Sequence, residues 1–257
     1  MNEAILALVR RHDPDRFLTA LFAPADRRDA LLTLYAFNHE LARAREVVSE
    51  PPLALIRLQW WREVVEGARR RHEVADPLIA VIEAGLLRAD DLLPLIEARE
   101  QEADPAFETL AHWLAWVQAG AGGLAVAAAR ALGAGEPEAF RPFGAAYGVA
   151  GVLRSVPVLA AAGRCLLPLD LLAEQGLSPE AAIAGPAAFA VQAVLRQLVQ
   201  QGDALLRSGG PVPKAAIAAA LPGVLARRDL GRWPVVVRER GLGDRLAVTR
   251  AGMRGRV

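Results

Sequence analysis

The sequence is short of the residues that most often announce a chemistry. A single cysteine, Cys165, rules out both an intrachain disulfide framework and a thiolate metal cluster, and it makes a reducing compartment the expectation. The four histidines (His12, His39, His72, His112) lack the paired helical spacing of a zinc site. No glycine-rich phosphate loop of either common spacing is present, and no serine stands in a nucleophile elbow. Charge of one sign is also missing. Thirty basic residues against twenty-nine acidic ones leave +1, so no global field steers the chain to nucleic acid, and no nucleic-acid partner is expected. Lysine occurs once, at Lys214, so nearly every cation is an arginine fork suited to anions. No stretch reaches the ~18–20 uninterrupted apolar residues of a membrane span. The segments 119–135 and 144–163 come closest, but Arg130 and Arg154 interrupt them. The first twelve residues lack the apolar core of a secretory signal, and a cytoplasmic location is the expectation.

Alanine and leucine supply most of the 53% apolar content, which favours helix over sheet. Apolar residues recur at helical spacing through Leu31, Leu34, Tyr35 and Leu41, with Asp26 expected as the N-cap and Pro51-Pro52 as a stop or restart. A second helix carries Leu55, Leu58 and Arg62, with Arg69 to Arg71 expected at its C-terminal end. Pro77 and Pro94 are read as helix starts, and Phe107 to Ala128 as one long helix. After a turn at Gly133 to Pro137 a further helix runs into the 150s, where Pro157 would kink or end it. Shorter helices follow to about residue 230. The chain is therefore expected to be a single all-α domain over 1–257, with 230–257 an irregular basic tail.

Two stretches carry a resemblance. Phe17-Leu18, Pro24 to Arg28 and Leu34-Tyr35-Ala36-Phe37 are similar to the opening of squalene and phytoene synthases. Gly148 to Arg154, then Gly163-Arg164 and Leu167-Pro168-Leu169-Asp170, resemble that family's second motif region. The resemblance covers about 9 to 230 and implies an isoprenoid-synthase helical bundle with a central cavity. It also implies chemistry: head-to-head prenyl transfer ionises an allylic diphosphate, whose charge is met by Mg2+ held between two carboxylate helices. Carboxylates at i and i+4 share one helical face. Carried over, the first motif falls on Ala42, Arg43 and Glu46, and the second on Ser155 and Leu159, with Arg154 alongside. Only Glu46 is acidic. The implied substrate-binding positions are Tyr35, Arg43, Glu46, Arg154 and Ser155, and the sole implied metal ligand is Glu46.

The run Leu34 to Arg43, then Glu46, Ser49-Glu50-Pro51 and Leu58 to Glu63, looks like one branch of this family. That branch contains the mitochondrial respiratory complex I assembly factor of squalene/phytoene synthase type and its proteobacterial relatives. Three expectations follow. The first is a diverged, non-catalytic member without a cofactor, keeping an apolar pocket for an isoprenoid or lipid phosphate, or serving a respiratory-complex assembly partner. The second is an active prenyltransferase on farnesyl or geranylgeranyl diphosphate, with Mg2+ on Glu46 and the cluster Glu97, Glu100, Glu102 and Asp104; as a plain sequence feature that cluster reads as a solvated face. The third is a peripheral adaptor at the inner membrane, with Trp60-Trp61 and Arg69 to Arg71 against lipid headgroups.

Overall fold

The computed structural model describes residues 2–46, 51–103, 107–234 and 240–257, and among them every regular element is helical. In chain order the α-helices are α1 (Glu3–His12), α2 (Pro14–Ala20), α3 (Ala25–Glu46), α4 (Pro51–Val65), α5 (Ala75–Glu83), α6 (Ala89–Ala103), α7 (Leu110–Val117), α8 (Gly123–Ala131) and α9 (Arg141–Ala161). Then follow α10 (Leu169–Glu174), α11 (Pro179–Ala184), α12 (Phe189–Ser208), α13 (Ile217–Ala220), α14 (Pro222–Gly231) and α15 (Leu242–Arg254). A five-residue π-helical segment, Gln118–Gly122, joins α7 to α8 without a break.

Side-chain caps fix several starts. The Asn2 carboxamide oxygen accepts from the Ala4 and Ile5 amides, Asp13 from Arg16, Thr109 from His112 and Ser178 from Ala181. Helix α3 begins at Ala25, which puts Asp26 in its first turn rather than at its cap. Pro94 lies inside α6 instead of starting a helix, and Pro157 lies inside α9 without ending it. Each sits on an exposed face, where water can take the carbonyl that loses its amide partner. Helix α4 ends at Val65, so Arg69 to Arg71 lie beyond it. The tail is not irregular: thirteen of its residues form α15.

Helix α9 runs through the middle and packs on α8, α12, α14 and the π segment. It is long and apolar enough to cross a membrane by length and composition, but most of that stretch is buried against other helices. Small residues make this possible. A Cβ on Gly144 would stand 2.4 Å from the Ala121 carbonyl oxygen, and one on Gly148 2.5 Å from the Ala121 Cβ. Backbone approach this close admits only glycine. Helix α3 packs on α1, α4, α5 and α8, burying Leu31, Leu34, Tyr35, Phe37 and Leu41.

Candidate functional site: a small cavity beside a buried ion-pair network

A cavity of about 200 Å3 opens between α2, α3, α6, α7 and α9. Leu95, Trp116, Val117, Val152 and Leu166 give it apolar walls, and Gly120, Gly148 and Gly151 let it reach the backbone. Its polar groups are Arg16, Asn38, Arg99, Glu102 and Ser155. The π segment forms one wall, and such an insertion re-aims the residues that follow it; π segments concentrate at functional sites. Two indoles pin the surrounding helices: Trp113 Nε1 donates to the Leu166 carbonyl at 2.8 Å and Trp116 Nε1 to the Ala98 carbonyl at 2.9 Å. Ligand pockets commonly span roughly 300–1,000 Å3. This one is below that range.

One helical step away lies a dense polar network. Arg240 Nε is 3.0 Å from both Asp15 carboxylate oxygens, and its Nη2 is 2.8 Å from Asp15 Oδ2 and 3.0 Å from Asp229 Oδ2. Arg154 donates to Asp229 as well. The Tyr147 hydroxyl donates to Asp15 Oδ2 at 2.8 Å. Arg16 pairs with Asp13 at 2.8 Å, and its guanidinium lies over the rings of Tyr147 (4.9 Å) and Tyr35 (5.8 Å). Three arginines thus meet three aspartates, and the cluster is formally neutral. Burial pushes the Asp15 carboxyl up, but Arg240, with help from the Tyr147 hydroxyl and Arg154, outweighs it and holds the group below the usual carboxylate range. Burial raises both tyrosine hydroxyls, so Tyr35 and Tyr147 stay protonated at any physiological pH.

The substrate-binding positions implied by the resemblance separate in space. Ser155 lines the cavity, with its hydroxyl donating to the Val152 carbonyl at 2.8 Å. Leu159 lines a different, smaller cavity beside Cys165. Tyr35 is buried beneath Arg16. Arg43 pairs with the buried Glu40 at 2.9 Å. The Glu46 side chain lies outside what the structure describes. Arg154 is no open anion fork, because Asp229 already neutralises it. The carboxylates of the network escaped sequence reasoning, since Asp15 and Arg240 stand 225 positions apart. The pattern His12-Asp13-Pro14-Asp15-Arg16 was the local signal available for them.

The described residues do not fit a magnesium cluster. Mg2+ requires hard oxygen ligands in near-octahedral array. Ala42, Arg43, Ser155 and Leu159 offer no carboxylate, and among the described residues no group of three or more His, Cys, Asp or Glu side chains could hold a metal ion. The acidic run of α6 has other partners. Glu100 receives Arg62 Nη2 on both oxygens at 3.0 Å, Glu97 stands 3.8 Å from the same arginine, and Glu102 pairs with Arg99. Asp104 lies outside the described residues. These carboxylates form ion pairs on a face that is still partly solvated, with Glu97 exposed.

Of the expected lipid-facing belt, Trp61 turns inward while Arg69 to Arg71 stay exposed. Trp61 is buried edge-on to Phe37 (5.5 Å) and His72 (5.2 Å), with Trp60 half-buried beside it. Arg69 and Arg70 pair with Glu83 and Glu63.

Comparison with known proteins agrees with this architecture. The chain resembles, at a TM-score of 0.80 and 14% identity, a dehydrosqualene synthase solved with a ligand, covering 98% of this chain and 95% of that one. Against the squalene synthase HpnC of Alicyclobacillus acidocaldarius the TM-score is 0.68 at 19% identity, over 98% and 93% of the two chains. Identities this low speak for the fold alone. In sequence it is 26% identical over 228 residues to the NADH dehydrogenase (ubiquinone) complex I, assembly factor 6 of Mus musculus, covering 86% of this chain and 68% of that protein. The Rattus norvegicus counterpart is 29% identical over 183 residues, 68% of this chain and 55% of its own length, so the match spans little more than half of that relative. The model of the squalene/phytoene synthase family matches residues 9–235, most of the chain. The chain belongs to the squalene/phytoene synthase family.

Proposed function

We propose that this protein is a diverged family member that no longer performs magnesium-dependent prenyl transfer and works instead as a non-catalytic, assembly-type factor. One observation carries the reading: the two helices that should face each other with carboxylates present Ala42, Arg43, Ser155 and Leu159, while Glu40, Glu100 and Glu102 pair with arginines. A diphosphate leaving group would meet neither a metal cluster nor an uncommitted arginine at Arg154.

The relatives named as complex I assembly factors supply the second support, and a respiratory-complex assembly partner is the corresponding proposal. No cofactor is proposed. The purified protein, given farnesyl or geranylgeranyl diphosphate with Mg2+, is expected to release no diphosphate and to form no C30 or C40 hydrocarbon. Turnover that a chelator abolishes would refute this reading. Deleting the gene in its host is expected to lower the amount of fully assembled complex I, measured by native electrophoresis. Unchanged assembly would refute the assembly role and leave the loss of catalysis standing.

A further inference from the structure

We propose that the outer face of α15 is a docking surface for an anionic lipid bilayer. This helix lies beyond the part of the chain that the family model matches, which ends at residue 235. Leu242, Leu246 and Met253 are 77%, 68% and 64% exposed, and at 100° per residue they fall within about 40° of one another. Arg245 flanks this stripe on one side, and Arg250 and Arg254 flank it on the other, all exposed. The only acid of the helix, Asp244, points inward, where Arg228 (2.6 Å) and Arg232 (2.9 Å) hold it. Outward, the helix presents Leu242, Leu246 and Met253 with the partly buried Thr249 between them, and its charged margins carry cations alone.

The opposite face is clamped. Val248 is fully buried, and Gly252 packs so tightly on Phe22 that a Cβ would stand 2.4 Å from its ring. The exposed stripe cannot turn inward without breaking these contacts. One flank continues into a cleft of about 690 Å3, where Arg245 stands with Arg10 and the exposed Leu21 that caps α2.

Charge and width decide the occupant. A second copy placed on this face would bring arginines against arginines. A protein interface of ordinary stability needs about 800 Å2 per partner, far more than three side chains supply. A bilayer with anionic headgroups asks only for an apolar stripe that dips below the headgroups and cations that stay at their level. This face provides both, and arginines near an anionic surface strengthen binding by about fivefold each.

The test is co-sedimentation of the full chain with vesicles of phosphatidylcholine alone or of phosphatidylcholine mixed with phosphatidylglycerol, at low and high salt. Binding to the mixed vesicles, weakened by salt and at least about tenfold weaker on phosphatidylcholine alone, is expected. Leu246→Asp and Met253→Asp should each reduce binding by about tenfold or more. Arg250→Gln with Arg254→Gln should reduce it by about twentyfold. All of these positions are exposed, so the thermal unfolding midpoint should stay unchanged and separate lost docking from lost folding. Absence of binding to the mixed vesicles would overturn the proposal, as would equal binding by the Leu246→Asp protein. A concentration-dependent dimer in light scattering that Leu246→Asp dissociates would also overturn it, by assigning the face to a second copy.

Discussion

Arg154 and Ser155 are neighbours on α9, yet they open onto opposite kinds of environment. Arg154 enters a cluster where every carboxylate has an arginine: Asp13 with Arg16, Asp15 with Arg240, Asp229 with Arg154 and Arg240. Ser155 enters a cavity whose walls are mostly apolar and whose hydroxyl partner is its own helix. Buried carboxylates are kept where a cation on the same chain offsets their desolvation. Alanine, serine and leucine at 42, 155 and 159 carry no charge that would need such a partner.

The contrast can be broken most severely at Arg240. Arg240→Ala leaves Asp15 and Asp229 facing each other with one guanidinium fewer, and it should cost about 3–5 kcal/mol in urea denaturation. Ser155→Ala, in the cavity, should change stability by less than about 0.5 kcal/mol. If the two substitutions cost the same, the network is not what holds this end of the bundle. Gly148→Leu comes next. Its Cβ would collide with Ala121, so a loss of about 1–3 kcal/mol is expected together with filling of the cavity.

Acid probes the network without mutation. Asp15 and Asp244 have carboxyls depressed in the folded state, Asp244 to about 2 against burial because Arg232 and Arg228 hold it. Depressed groups contribute stability that is fully present above the unfolded value near 3.8 and lost as pH falls through the folded value. Urea midpoints should therefore be flat above about pH 5 and fall between about pH 4 and pH 2, with Asp244→Asn removing on the order of 1–2 kcal/mol of that fall. Gly151→Ala should give a small gain, larger only than the effect of Ser155→Ala. No atom lies within 4 Å of the added Cβ, so the helix gains about 0.5–1 kcal/mol while the cavity loses a little room.

The helices were legible because apolar spacing and caps are local: the residues that build α3, α9 and α12 repeat every three or four positions. Proline misled at Pro94, because whether a proline bounds a helix depends on whether its face meets water, and that is a tertiary fact. The π segment had no sequence signal beyond its glycines. The tail read as irregular since α15 takes its order from Phe22, Arg228 and Arg232, all distant in sequence. For the site, the absent aspartates were plain in the chain. The destination of Arg154 was not, because its partner Asp229 lies 75 positions away.

The most direct test is calorimetric titration of the purified chain with farnesyl diphosphate, in Mg2+ and in chelator. The structure predicts the same affinity in both, since among the described residues no group of side chains could couple the metal to the diphosphate. Binding that tightens about tenfold or more when Mg2+ is added would show a working metal site and contradict the account.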